Sequence, residues 1–223
     1  MTSKKSSLAQ EAYEELRALI IRLEFAPGDV LGEDDLRSRL GVGRTPLREA
    51  LQRLEREHFV TVIPRRGMFV AGIDVSELST LFETRMLLEP YAARLAAIRG
   101  AVEHWDTMAQ ALDVMSSPGL SPIDHLDIDR RCHEIMWSAS ENRFLLDTLD
   151  MLYAQSDRLW HLHLSEVHDM DQAVVEHKAI LDALRAGDAD AASELVETHV
   201  RSFDTQIRAA VTASLESPLA GGG

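Results

Sequence analysis

The chain is predicted to be mainly α. A small helical module with a two-stranded hairpin occupies residues 1–72, and an all-α bundle of about six helices follows over 73–223. Three observations carry this. Apolar residues recur at helical spacing along most of the chain, whereas strand-like runs are confined to Phe59–Ile63 and Met68–Ala71. Glycine and proline punctuate the helical runs at short intervals. The charge also divides: residues 1–72 hold 12 Lys/Arg and 11 Asp/Glu, residues 73–223 hold 11 and 26, within a total of −14.

The first helix is expected over Leu8–Leu23, with Leu8, Ala12, Leu16, Leu19, Ile20 and Leu23 on one face and Pro27-Gly28-Asp29 as the break. A second, Glu33 to Leu40, ends at Gly41, a residue type suited to a left-handed C′ position. The third follows Gly41-Val42-Gly43. Thr45 is expected to N-cap it, with Pro46 in its first turn, where no amide donor is needed. Leu47, Ala50, Leu51 and Leu54 then share one side, and Arg48, Gln52, Arg53 and Arg56 the other, with Arg44 just ahead of the start. By itself this pattern fits a surface helix with solvated arginines as well as one offering cationic side chains to a DNA groove.

The neighbours favour DNA. Strand Phe59–Ile63, turn Pro64-Arg65-Arg66-Gly67 and return strand Met68–Ala71 form a hairpin with arginines at its tip. Helix, helix-turn-helix and hairpin together make a winged helix-turn-helix. The window Arg44–Arg66 holds six arginines against three glutamates. Screening over about 8 Å at physiological salt lets that local patch outweigh the distant acidic remainder.

Over residues 8–72 the chain resembles the GntR family of bacterial transcription regulators. The resemblance rests on Leu36, Leu40-Gly41-Val42, the run Arg44–Leu51, Leu54, and the wing Pro64–Gly67 with Val70. Two positions depart from the family pattern: Gly43 where Ser or Thr is usual, and His58 where Gly is usual. The resemblance implies contacts to operator DNA from Arg44, Thr45, Arg48, Arg65, Arg66 and Gly67. Arg48 is suited to reading guanine, and the wing arginines to phosphate or the minor groove. A two-fold homodimer on a pseudo-palindromic site is expected.

Composition suits a cytoplasmic regulator. A single cysteine, Cys132, excludes an intramolecular disulfide framework. No apolar run follows the charged start Met1–Ser7, and none approaches the roughly 18 residues needed to span a bilayer, so no membrane role is expected. Gly221–Gly223 reads as a loose tail.

In the second module, Asp74-Val75-Ser76-Glu77 has capping-box spacing and should open a helix to Arg99-Gly100, with a kink near Leu88-Glu89 ahead of Pro90. Further helices are expected at Val102–Met115, Ile123–Ala139, Arg143–Ser165, Asp169–Ala186 and Ala189–Leu215, with Asn142 as a cap. Trp105, Trp137 and Trp160 read as core or dimer packing, and Met86, Met108, Met115, Met136 and Met151 as bundle fillers.

Asp129 and His133, spaced i, i+4, leave one helix face about 40° apart. His177 lies ten residues before Gly187 and His199 twelve after it, so a reversal there puts them at similar depth on adjacent helices. One carboxylate and three imidazoles suit Zn²⁺, with Ni²⁺ or Mn²⁺ as further candidates. The spacing alone also fits histidines that cap helices or face solvent. The strings Asp129–His133 with Asn142, Glu176–Ile180, Gly187-Asp188, Ala191-Ala192 and His199, together with Arg85 and Glu89, resemble the FCD effector domain of the FadR-like branch, over about 74–213. That resemblance implies a metal held by Asp129, His133, His177 and His199. Cys132 departs from it, standing where Phe is common.

A small carboxylate effector would complete the metal's coordination, with Arg85 as a second clamp, although Arg85 equally suits an internal salt bridge to Glu89. Arg158 is assigned to the surface, and His161, His163 and His168 to solvent. Cys132, pointing about 100° from His133, is assigned to the core. The expectation is a non-enzymatic transcription regulator, more readily a repressor than an activator. The alternatives are a metal-dependent hydrolase and a regulator whose metal is purely structural. For the hydrolase, Glu134 and Glu176 adjoin ligands in sequence without evident direction toward the metal.

Overall fold

The computed structural model describes residues 7–163 and 170–216, so His168, the start Met1–Ser6 and the glycine tail lie outside the described residues. It divides into two compact units, Met1–Asp74 and Val75–Gly223.

In the first unit, α1 (Leu8–Ile21) is capped by Ser7, whose Oγ accepts from the Gln10 amide at 3.2 Å. It ends two residues earlier than predicted, and Leu23 turns to φ +58°. Helix α2 (Glu33–Leu40) has three acids in its first turn and two arginines in its last, each complementing the helix dipole. It ends at Gly41 with φ +65°, the left-handed exit the glycine permits.

Helix α3 (Arg44–Arg56) buries the predicted face, Leu47, Ala50, Leu51 and Leu54, against α1. Its start differs from prediction. Gly43, not Thr45, is the N-cap, because extended backbone at Gly43 (ψ 170°) lets its carbonyl accept from the Leu47 amide at 3.3 Å. Thr45 is therefore the second helical residue, and Pro46, the third, has no amide to cap.

Strand β1 (Val60–Ile63) pairs antiparallel with β2 (Gly67–Val70) in the register Val60↔Val70 to Ile63↔Gly67. Phe59 precedes β1 but accepts from the Ala71 amide at 2.9 Å, and Val30 bridges Phe69 on the other edge. The hairpin is thereby tied to its own module.

The second unit holds six helices among the described residues. A 3₁₀ turn, Val75–Glu77, leads into α4 (Leu78–Arg99). The α-helix thus begins later than the capping-box pattern implies, with Glu77 as N-cap and no side-chain capping bond there. It runs unbroken through buried Pro90. Then come α5 (Val102–Met115), α6 (Pro122–Ala139), α7 (Arg143–Leu162), α8 (Met170–Ala186) and α9 (Ala189–Glu216).

Local chemistry sets these boundaries. Ser121 and Asp124 form a reciprocal capping box on α6, Asn142 accepts from the Phe144 and Leu145 amides on α7, and Gly187 at φ +69° reverses the chain into α9. Helix α4 packs along α9 and also meets α6, α7 and α8, so its buried face lines the bundle interior. Trp105, Trp137 and Trp160 are all buried, which places them in the core.

Candidate metal centre and nucleic-acid interface

In the first unit, Arg44, Thr45 and Arg48 on α3, Arg65 and Arg66 on the β1–β2 turn and Gly67 at the start of β2 are all exposed. Arg65 adopts φ +66° and Gly67 φ +109°, so the tip is a left-handed turn rather than a continuation of the strands. Sequence reasoning missed Glu33. From the first turn of α2 its carboxylate lies 3.1 Å from Arg48 Nε and 3.9 Å from Arg44 Nε. Residues fifteen apart on different helices leave no local pattern to reveal such a pairing.

In the second unit, Asp129 and His133 of α6, His177 of α8 and His199 of α9 converge. Each is at most 2% exposed, and one ligand atom from each lies within 4.8 Å of the others. His133 Nε2 and His199 Nε2 are 3.1 Å apart. Asp129 Oδ1 is 3.6 Å from His177 Nε2 and 3.8 Å from His199 Nε2, and its Oδ2 is 3.8 Å from His133 Nε2. Atoms each about 2.0–2.2 Å from one ion would stand about 3–4.4 Å apart, so only slight contraction is needed.

The hydrogen bonding fits a cation. His177 Nδ1 meets the Ala173 carbonyl at 2.9 Å and His199 Nδ1 meets Glu176 Oε2 at 2.7 Å. Both partners accept, so both Nδ1 atoms carry a proton and each ring turns its Nε2 inward, where its neutral form presents a lone pair. Glu89 Oε2 lies 2.8 Å from His133 Nδ1, within ion-pair reach but off the N–H axis.

Asp129 Oδ2 accepts from the Tyr153 hydroxyl at 2.5 Å, while Oδ1 is buried with no hydrogen-bond partner. A buried orphan carboxylate oxygen facing inward lone pairs is costly unless a cation lies among them. The four residues therefore fit a divalent metal.

The electrostatics agree. Burial, reinforced by the neighbouring His199, pushes His177 down to about 3, so its imidazole is neutral. Burial works against ionisation of Asp129, yet the surrounding histidines and the Tyr153 hydroxyl hold it below the usual carboxylate range. Burial, with Asp129 adjacent, raises Tyr153 well above the ordinary phenol range and keeps it a donor. Cys132, wholly buried, is likewise pushed up by burial, remains a thiol and packs as a core residue.

Arg85 is 2% exposed, and its Nε donates to Glu89 Oε1 at 2.5 Å, while its guanidinium stacks 5.0 Å from the Tyr153 ring centre and 5.3 Å from that of Phe82. The internal salt bridge foreseen as one of its two readings is thus present. Burial opposes ionisation of Glu89, but Arg85 and His133 hold it at about 2.

Other expectations are corrected. Arg158 is 1% exposed, not on the surface, and burial draws it down to about 10. His161 and His163 are not solvated: the His161 side chain is 5% exposed against Asp157, and His163 is buried, because the end of α7 packs into the bundle. In the sequence, Glu176 is considered only as a possible base and Tyr153 not at all; their contacts with His199 and Asp129 escaped sequence reasoning, since those partners lie 23 and 24 residues away on other helices. Among the described residues, no helix is long and apolar enough to cross a membrane.

Residues 8–70 match the gntR family of bacterial regulatory proteins, and residues 80–202 match the FCD domain. The Escherichia coli transcriptional repressor GlaR is 30% identical over 201 residues, covering 85% of this chain and 91% of that protein. An HTH-type regulator in an unstable DNA locus of Streptomyces ambofaciens is 29% identical, over 87% of this chain and 83% of its own. The solved structure of E. coli McbR/YncC superposes with a TM-score of 0.76 at 19% identity, covering 95% of this chain and all of that one, and so shares the fold. With a DNA-binding winged helix-turn-helix in front of a helical FCD domain, the chain belongs to the GntR family and is a transcriptional regulator of the FCD type.

Proposed function

We propose that this regulator is a homodimeric repressor whose grip on a pseudo-palindromic operator is set by a small carboxylate bound at a metal site in the FCD domain. The observation that carries the reading is the buried set Asp129, His133, His177 and His199, with its orphan oxygen and inward Nε2 atoms. Bound Zn²⁺, or Ni²⁺ or Mn²⁺, would supply a concentrated positive charge with coordination positions left over for an anionic ligand.

The residues around it define the rest. Tyr153 holds Asp129 by one oxygen and leaves the other facing the histidines. Arg85 is the proposed effector clamp: its Nε is committed to Glu89, so its terminal amino groups are the donors an effector carboxylate would engage. An effector that engages Arg85 disturbs Glu89 and, through it, the edge of His133. That links ligand binding to α4, the helix that opens the second unit. The effector can change operator affinity only by the difference in its affinity for the two arrangements.

Dimerisation is supported by an apolar stripe on α4, where Leu87, Tyr91 and Ile98 recur on one face and are 71%, 51% and 67% exposed. The repressor sign is supported by the name of GlaR. The regulator reading is favoured over a hydrolase because the carboxylates beside the ligands are engaged: Glu134 by Arg130 and Arg131, and Glu176 by His199.

The test is operator binding by zinc-loaded protein across a panel of small carboxylates, with a duplex selected from a random library as probe. One acid should weaken binding by wild type but not by a His177→Ala/His199→Ala variant. If no acid shifts affinity and zinc removal only unfolds the bundle, the metal is structural. Turnover of ester or phosphoester substrates without duplex binding would overturn the regulator reading.

A further inference from the structure

We infer that Glu176 is a positioning residue of the metal centre: from α8 it fixes the tautomer of His199 on α9 and so decides which ring nitrogen faces the ion. The inference rests on the metal reading above and adds to it a residue outside the four ligands.

Glu176 and His177 are adjacent on α8, so their side chains leave the helix about 100° apart. His177 points into the cluster, while Glu176 reaches across to α9 and places Oε2 2.7 Å from His199 Nδ1. Its other oxygen, Oε1, accepts from Gln172 Nε2 one turn earlier at 3.1 Å, so both carboxylate oxygens are directed. The contact is on the Nδ1 edge of the imidazole, and Nε2 is the atom that meets His133 Nε2 and faces Asp129. Glu176 thus stands behind a ligand and is not one itself.

Two physical consequences follow. A carboxylate acceptor holds the proton on Nδ1, so the lone pair on Nε2 is always presented inward. It also raises the basicity of the ring toward a cation, which a neutral acceptor does less well. His177 shows the contrast: its Nδ1 is tied only to the backbone carbonyl of Ala173. One turn of α8 therefore supplies a ligand, that ligand's own backbone tether, and the carboxylate tether for the ligand on the neighbouring helix. Unlike His177, His199 is oriented by a side chain that can be replaced without touching the ligand set. Glu176 is also partly solvent-accessible, its side chain 17% exposed, so replacing it leaves no large void.

The experiment measures zinc affinity of the full chain by competition with a chromophoric chelator, for wild type, Glu176→Ala and Glu176→Gln. The His199 tautomer is read from imidazole nitrogen NMR in each. Glu176→Ala should weaken zinc binding by about 10- to 100-fold while still filling at saturating zinc, and His199 should become a tautomer mixture. Glu176→Gln keeps a carbonyl acceptor, so it should restore the Nδ1–H tautomer and part of the affinity.

Unchanged affinity in Glu176→Ala overturns the inference and leaves the metal site standing. So does complete loss of zinc capacity in a folded variant, which would make Glu176 a ligand. Should the alanine variant fail to fold, an Nε2–H tautomer of His199 in zinc-free wild type overturns it as well. Wild type that binds no zinc sinks the metal reading and this inference together.

Discussion

Glu33, in the first turn of α2, holds Arg48 of α3 through a carboxylate–Nε contact of 3.1 Å. The carboxylate occupies one edge of the guanidinium and steadies the side chain beside Arg44, and the contact does not engage the terminal amino groups. Arg48→Ala should abolish selective duplex binding while leaving the protein folded and its assembly state unchanged, as read by mobility shift and sedimentation. Glu33→Gln should bind unselected DNA more tightly and discriminate less, because a negative charge near the phosphates is gone and Arg48 is less constrained. Equal losses on selected and unselected duplexes in Glu33→Gln would count against this role. The effect on stability should be small, about 1 kcal/mol or less, as for other surface ion pairs.

Two left-handed residues in the same unit should respond with opposite signs. His58 adopts φ +62° just before β1, at the position where the family resemblance places glycine. Gly41 adopts φ +65° at the end of α2, with open space where a Cβ would go. His58→Gly should raise unfolding free energy by about 1 kcal/mol, and Gly41→Ala should lower it by a similar amount. Urea titration reads both, and two shifts of the same sign would mean that backbone conformation is not what governs these sites.

The Tyr153 hydroxyl is the donor the structure provides to buried Asp129 Oδ2. Tyr153→Phe leaves that oxygen buried with one fewer partner and should cost about 1–3 kcal/mol. Equilibrium unfolding of zinc-free protein is the measurement, and wild-type stability would show that water or a rearranged neighbour takes the place of the hydroxyl.

His177→Ala combined with His199→Ala should bring metal content well below that of wild type by elemental analysis, since half of the proposed donor set is removed. Chelation of wild type should lower its melting temperature, because a ligand that binds the folded state alone stabilises it in proportion to its occupancy. Unchanged metal stoichiometry in the double variant refutes these two ligands.

Helix limits were legible in the residues because the chemistry that sets them is local. Asn142 and the positive-φ glycines at 41 and 187 act within four residues of the helix ends they define, whereas the Ser121–Asp124 capping box, equally local, was not read. Asp129 and His133 were legible as a pair because helical geometry alone puts i and i+4 on one face, and His177 and His199 because a single reversal separates them. Thr45 misled for a related reason. It has capping chemistry, but extended backbone at Gly43 started the helix first.

The sequence by itself determined a winged helix-turn-helix and a six-helix bundle, since each depends on spacing along one helix or across one turn, and its resemblance to the FCD domain singled out four candidate ligands. Only the tertiary structure decided what surrounds them. Glu176 behind His199, Tyr153 on Asp129, Glu33 on Arg48, and the burial of Arg158, His161 and His163 all join groups on separate helices or depend on packing between them. Such contacts follow from how helices pack against each other, and no periodicity within a single helix encodes that.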